Sequence, residues 1–326
     1  MLQRYLIVWL LISSAAALKW PDIFPDAADP FVQSKALLPW LIVVTMFAIG
    51  WMLPRDEVRQ VFRRWPVVFS GTAIQYVTMP ALAYAMGRLL GLRDDYLIGI
   101  VMVGCVPGAM ASNVLTFNAG GNTSYSVSLT TAATLLSPLA VPTAMALALH
   151  ADETVDVWIL LKASRDLLLT VVIPVVSGHL LSLRFPSWEQ AARRVGTVVA
   201  NLTILWIIAV VVGLNRQRLW ASSADVPLAS LLAALVCVNA GGYLAGYAGG
   251  VVMKLPEAMR RALTLEVGMQ NAGLGAVLAS QLFSGREAIA IAPAMYTFGC
   301  MLTGTLLAGF WSRGSNRQSP GDAPEA

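Results

Sequence analysis

The chain has 326 residues, of which 57% are apolar and only 12% charged, with a formal net charge of +4. A soluble domain carries about 25% charged residues, so this composition excludes a soluble globular protein, and no basic cluster with interleaved aromatics suggests nucleic acid. The three cysteines, Cys105, Cys237 and Cys300, all fall in apolar segments and share no ligand spacing, which argues against a disulfide framework or a metal site.

Apolar runs of membrane length recur from end to end. Tyr5–Leu18 is short for a span and resembles a signal-peptide core. With nine more hydrophobic segments behind it, the expectation is an uncleaved first span. A polar loop, Pro21–Gln33, leads to a second span at Leu37–Leu53. Arg55, Arg59, Arg63 and Arg64 mark a short helical linker. The third span, Val67–Gly87, contains Gln75, with a kink expected at Pro80. The fourth, Leu97–Phe117, is broken near Pro107–Asn113, and a turn at Ala119-Gly120-Gly121-Asn122 precedes the fifth, Thr123–Leu149. Asp152–Asp166 reads as a short amphipathic piece. The second half repeats the pattern with Leu167–Leu183, Val195–Leu214, Leu228–Met253, a broken Ala262–Phe283 and Ala288–Trp311.

The fold class predicted is an all-α polytopic membrane protein with ten transmembrane helices. They form two inverted five-helix repeats, because an odd number of spans per repeat reverses the second half. One transmembrane domain covers residues 1–311, and residues 312–326 form a disordered cytoplasmic tail. Thirteen Lys and Arg fall on one set of loops and nine on the other, so the positive-inside rule puts both termini in the cytoplasm. The expected location is the cell (inner) membrane, with the lipid bilayer as a partner and no oligomer required.

Glu266 is the one acidic residue deep inside a predicted span, in Glu266-Val267-Gly268-Met269-Gln270-Asn271-Ala272-Gly273. An ionisable group at that depth points to function, and glycines there let a helix break where it lines a cavity. The fourth span carries a matching interruption, Pro107-Gly108-Ala109-Met110-Ala111-Ser112-Asn113, and paired interruptions mark a transporter's binding site. A neutral, hydrogen-bonded carboxyl is the competing structural reading. Oxygen donors are plentiful: Ser112 and Asn113 at the first break, Ser126 and Thr130 on one helical face, Gln75, Gln270, and carbonyls near Val267 and Met269. Such a set around one carboxylate suits a hard cation. Taken alone, Ser126 and Thr130 read better as interhelical glue than as ligands. His150 and His179 have no second ligand at helical spacing.

Gly104-Cys105-Val106-Pro107-Gly108-Ala109-Met110-Ala111-Ser112-Asn113-Val114-Leu115-Thr116, together with Glu266–Leu274, resembles the bile acid:sodium symporter family, and Met46–Arg64 with Gln75-Tyr76-Val77-Thr78-Met79-Pro80 is similar to its second and third helices. The resemblance implies that broken helices 4 and 9 cross. It also implies a panel of spans within 5–53 and 167–214, and a core of spans within 67–149 and 228–311. Two Na+ sites are implied, one at Ser112, Asn113, Ser126, Thr130 and Glu266. The other uses Gln75, Glu266, Gln270 and the carbonyls of Val267 and Met269. Asn113 and Asn271 would meet the substrate. Where bile-acid-carrying relatives have polar residues, this chain has Cys300-Met301-Leu302, so a small carboxylate is preferred over a bile acid. The expected function is a sodium-coupled organic-anion symporter with alternating access by core–panel movement, not an enzyme. The competitors are a proton-coupled cation antiporter with Glu266 as proton carrier, and an intramembrane enzyme with Glu266 as acid/base, for which the spans offer no partner group.

Overall fold

A computed structural model describes residues 5–149, 156–220 and 228–315. Arg4, His150, the first four residues of the expected amphipathic piece (152–155), Arg317 and residues 316–326 of the expected tail lie outside the described residues, whereas residues 312–315 are the end of the last helix. Among those described the chain is helical, with no strand. The N-terminal half contains α1 (Leu6–Ile23), α2 (Pro30–Gln33), α3 (Leu38–Met52), α4 (Glu57–Arg63), α5 (Trp65–Leu89), α6 (Asp94–Cys105), α7 (Ala111–Asn118) and α8 (Thr123–Leu149). The C-terminal half contains α9 (Val157–Leu167), joined by a π-helical turn to α10 (Ile173–Arg184), then α11 (Glu189–Leu214), α12 (Arg216–Trp220) and α13 (Leu228–Val252). It ends with α14 (Glu257–Gly268), α15 (Ala272–Leu282) and α16 (Ile291–Ser315).

Seven of the helical segments are long and apolar enough to cross a membrane. Their outer faces carry large apolar side chains such as Trp40, Leu139, Leu147, Leu244 and Phe310 in full exposure, which is what a lipid-facing surface requires. Most predicted spans coincide with these helices. Two local expectations differ, and at Pro80 the helix is continuous. α1 runs on through Pro21 to Ile23, and the second half of the expected loop is helical from Pro30. There the Asp29 carboxylate accepts from the backbone N–H groups of Phe31 and Val32, an N-cap that starts the helix.

Each interruption has a local cause. α6 stops at Cys105 because Val106 precedes Pro107 and is extended, at φ −73° and ψ 156°; a residue before proline is driven out of the α region. α14 stops at Gly268, with Met269 extended. Asn271 then restarts the chain as the N-cap of α15, its side chain accepting from the Leu274 N–H. Between α7 and α8 the expected turn is present, with Gly120 at φ +65°.

α3 lies between α10 and α11, and α1 packs on α11. A second group forms around α5, which touches α6, α8 and α13, with α14 on α13 and α16 on α15. Between the two groups, α15 and α16 carry contacts to α1, α3 and α11, whereas α7 and α14 pack against α5, α8, α13 and α16. At the end of the bundle bearing α15's C-terminus, Lys35 pairs with Glu287, and Lys162 Nζ donates to the Gln281 carbonyl at 2.7 Å.

The linker α4 is pinned to α8 by two side-chain bonds: Ser128 Oγ donates to Glu57 Oε1 at 2.6 Å, and Ser124 Oγ to Gln60 Oε1 at 2.6 Å. Glu57 is only 1% exposed. Burial pushes its carboxyl above 4.5, its ordinary value, and Asp56 adds to the rise, while the Ser128 bond and Arg64 oppose it. A carboxyl with a raised folded pKa holds its proton more tightly folded than unfolded. Its penalty is therefore absent below about pH 4.5 and grows as pH climbs through the raised value. Glu57→Gln should raise the melting temperature at pH 8 by about 2 °C and leave it unchanged at pH 4. Melting of detergent-solubilised protein across that range checks this; equal shifts at both ends would refute it.

Candidate functional site

The two interruptions meet. Gly108 and Gln270 form an isolated antiparallel bridge. The Ala109 N–H donates to the Met269 carbonyl at 2.8 Å, and the Asn271 N–H donates to the Pro107 carbonyl at 2.8 Å. Main-chain groups freed by one broken helix are thus satisfied by the other, as a low-dielectric interior demands. The Gly268 carbonyl at the end of α14 accepts from Asn239 Nδ2 at 2.8 Å and Tyr296 Oη at 2.7 Å.

This junction brings Glu266 against α7 and α8. Its Oε2 accepts from Ser112 Oγ at 2.6 Å and Thr130 Oγ1 at 2.8 Å. Asn113 Oδ1 accepts from Ser126 Oγ at 2.8 Å and, at 3.3 Å, from Thr130 Oγ1. Thr116 Oγ1 donates to Ser126 Oγ at 3.2 Å. Ser112, Asn113, Ser126, Thr130 and Glu266, drawn from three helices, therefore form one buried cluster of oxygens. At the α14–α15 break itself, Gln75 Nε2 donates to Gln270 Oε1 at 3.0 Å, and Gln270 Nε2 donates to the Val267 carbonyl at 2.8 Å. The Met269 carbonyl is engaged by Ala109.

Two acceptors in this cluster stand out. Glu266 Oε1 and Gln75 Oε1 are both sealed from solvent and have no hydrogen-bond partner. Buried acceptors without partners are rare and energetically unfavourable. Both are oxygens, beside further hydroxyl, amide and carbonyl oxygens, which is the donor set a hard monovalent cation takes. Ser112 Oγ and Thr130 Oγ1 both lie within hydrogen-bond distance of Glu266 Oε2, so an ionised carboxylate finds two hydroxyl donors in place.

Beside the junction is a cavity of about 110 Å³. Ile42, Thr45, Met46 and Ile49 of α3 and Asn201, Ile204 and Ile207 of α11 line one side. Ala109, Met110 and Ala111 at the start of α7, and Asn271, Ala272 and Gly273 at the start of α15, line the other. Asn271 thus faces the cavity. Asn113 is turned the other way, with its oxygen in the Glu266 cluster and its Nδ2 on Met110 Sδ at 3.6 Å. Tyr296, Thr116 and Asn201 had drawn no attention in the sequence. A helical count from Ser112 would have reached Thr116, whereas Tyr296 and Asn201 carry no local signal.

A family model described as the sodium bile acid symporter family matches residues 39–222. The chain is 30% identical over 318 residues to an "uncharacterized sodium-dependent transporter" of Bacillus subtilis, covering 96% of this chain and 92% of that one. It is 33% identical over 282 residues to a "probable sodium/metabolite cotransporter" of Arabidopsis thaliana chloroplasts, covering 86% and 68%. With the ileal sodium/bile acid cotransporter of Oryctolagus cuniculus, identity is 26% over 259 residues, or 78% and 72%.

Gly108 supplies a test of the cluster. A Cβ built there would lie 2.0 Å from Glu266 Oε1, and the carboxyl cannot swing aside without leaving Ser112 and Thr130. Gly108→Ala should destabilise the protein by about 1–3 kcal/mol, as overpacking does, and abolish any rise in melting temperature on adding sodium. A sodium response equal to the parent's would show that the carboxylate position is not needed.

Proposed function

The chain belongs to the sodium bile acid symporter family, and on that premise we propose that it is a sodium-coupled symporter of a small organic anion. The observation that carries this reading is the pair of uncommitted buried oxygens, Glu266 Oε1 and Gln75 Oε1. One Na+ would be held by Ser112, Asn113, Ser126, Thr130 and Glu266. A second would be held by Gln75, Glu266, Gln270 and the carbonyls of Val267 and Met269.

In this proposal ten spans arise from the seven long apolar segments, from α5, and from the broken pairs α6/α7 and α14/α15, in two inverted halves whose broken helices cross. Spans within 5–53 and 167–214 form the panel; those within 67–149 and 228–311 form the core. Both termini are cytoplasmic in the cell membrane. The Lys35–Glu287 pair and the Lys162–Gln281 bond then join panel to core on the outer side, consistent with a state closed to the outside. Transport follows from core–panel movement that exposes the cavity to each side in turn.

Charge and size both favour a small carboxylate. Two Na+ and one carboxylate leave a single positive charge, unfavourable in a low dielectric and neutralised by a monoanion. The N-termini of α7 and α15 at the cavity add partial positive charge. An engineered cavity of about 150 Å³ accepts benzene; this one, at about 110 Å³, suits a compact acid better than a sterol.

Glu266→Gln should abolish sodium-dependent uptake in proteoliposomes while leaving the protein folded. Ser126→Ala or Thr130→Ala should weaken apparent sodium affinity roughly fivefold, as loss of a ligand worth about 1 kcal/mol would. Uptake by the parent protein that follows a pH gradient instead of a sodium gradient would favour a proton-coupled antiporter with Glu266 as proton carrier.

Coupling of two Na+ to one monoanion moves one positive charge per cycle, so an inside-negative potential should add about 2.3 kcal/mol per 100 mV to accumulation. Vesicles held at opposite potentials with equal sodium gradients measure this. Accumulation independent of potential would mean one sodium per monoanion, or a dianionic substrate.

A further inference from the structure

The polar lining of the cavity comes from Thr45, Asn201, Gln270, Asn271 and Thr297. Four of these are already engaged within the protein. Thr45 Oγ1 donates to the Leu41 carbonyl at 2.8 Å, and Thr297 Oγ1 to the Pro293 carbonyl at 3.1 Å. Asn271 Oδ1 accepts from the Leu274 N–H at 3.1 Å, and Gln270 bonds Gln75 and the Val267 carbonyl. Asn201 differs. Its Nδ2 is sealed from solvent and has no partner among the described residues.

Asn201 also differs in position. Gln270, Asn271 and the two helix N-termini sit on the junction side of the cavity, whereas Asn201 projects from α11 on the facing side. Around it that side is apolar apart from Thr45, whose hydroxyl is held by its own helix: Leu6, Ile42, Met46, Ile49, Ile204 and Ile207. An amide placed alone in an apolar wall, with its N–H₂ unused, is unfavourable unless something else pairs with it. The χ2 torsion of asparagine is soft, so the carboxamide can turn into the cavity at little expense.

We propose that Asn201 is a specificity-determining residue that donates a hydrogen bond to an uncharged oxygen, hydroxyl or oxo, on the body of the transported carboxylate. The inference rests on the small-anion reading given above and refines it. The carboxylate lies against the starts of α7 and α15, the alkyl body against Ile42, Met46 and Ile204, and the second oxygen on Asn201. A simple alkyl acid of the same shape leaves the amide unpaired and binds less well, since a site built to pair a polar group rejects the analogue lacking it. One ligand thereby touches both walls, which ties cavity occupancy to the relative position of α11 and α15.

Three probes of one shape test it: 3-methyl-2-oxobutanoate, 2-hydroxy-3-methylbutanoate and 3-methylbutanoate. Binding to the purified full chain is read by thermal shift at saturating sodium. The parent should bind at least one oxygenated acid about tenfold more tightly than 3-methylbutanoate. In Asn201→Leu that ratio should fall to within about twofold, with the sodium titration in the absence of any acid unchanged. Asn201→Ala is measured alongside, so that misfolding of one variant leaves the ratio accessible in the other. A ratio that survives in either folded variant overturns the inference, as does a parent that binds all three equally or none. If sodium itself has no effect on the parent, the symport reading fails as well; a sodium effect without discrimination sinks only the role of Asn201.

Discussion

Everything at the centre of this molecule depends on two main-chain hydrogen bonds between segments 160 residues apart: Ala109 N–H to Met269 carbonyl and Asn271 N–H to Pro107 carbonyl. A membrane helix that breaks exposes donors and acceptors that lipid cannot satisfy. Here each break is the remedy for the other. The pairing also sets distance, because Gly108 brings its backbone so close to Glu266 that no side chain fits between them. Ser112 and Thr130 then hold one carboxylate oxygen and leave the second uncommitted.

Support for this junction comes from residues outside it. Asn239 and Tyr296 both donate to the Gly268 carbonyl, and Asn239 Oδ1 in turn accepts from Thr303 Oγ1 at 2.7 Å. Gln75 on α5 and Asn239 on α13 do different work. Gln75 pairs with Gln270 and keeps an oxygen free, whereas Asn239 secures the end of α14. The asymmetry follows from chemistry: only one of the two breaks carries a glutamate, so only that one calls for further oxygens around it.

Much of this was legible in the sequence because the membrane makes polar residues conspicuous. The breaks announced themselves through Pro107, Gly108 and Gly268, and Ser126 with Thr130 through a four-residue spacing that puts both on one face. The bounds of α8, Thr123–Leu149, coincide with expectation. The misses share a physical reason. Asn201, Tyr296 and Glu57 matter through partners, or lack of partners, in distant segments. A loop expected at Pro21–Gln33 became partly helical because Asp29 caps it. Asn113 has two faces available at a helix start, and packing, not spacing, turned it towards Glu266.

The main-chain character of the junction has an evolutionary consequence. A frame held by backbone groups is indifferent to most side chains, provided that Gly108 keeps its lack of one. Residues lining the cavity, such as Ile42, Met46 and Met301, stand outside that frame. Single mutations can exchange them, and so reshape the cavity, without touching the contacts that hold Glu266. A fold of this kind diversifies at one wall and is frozen at the other.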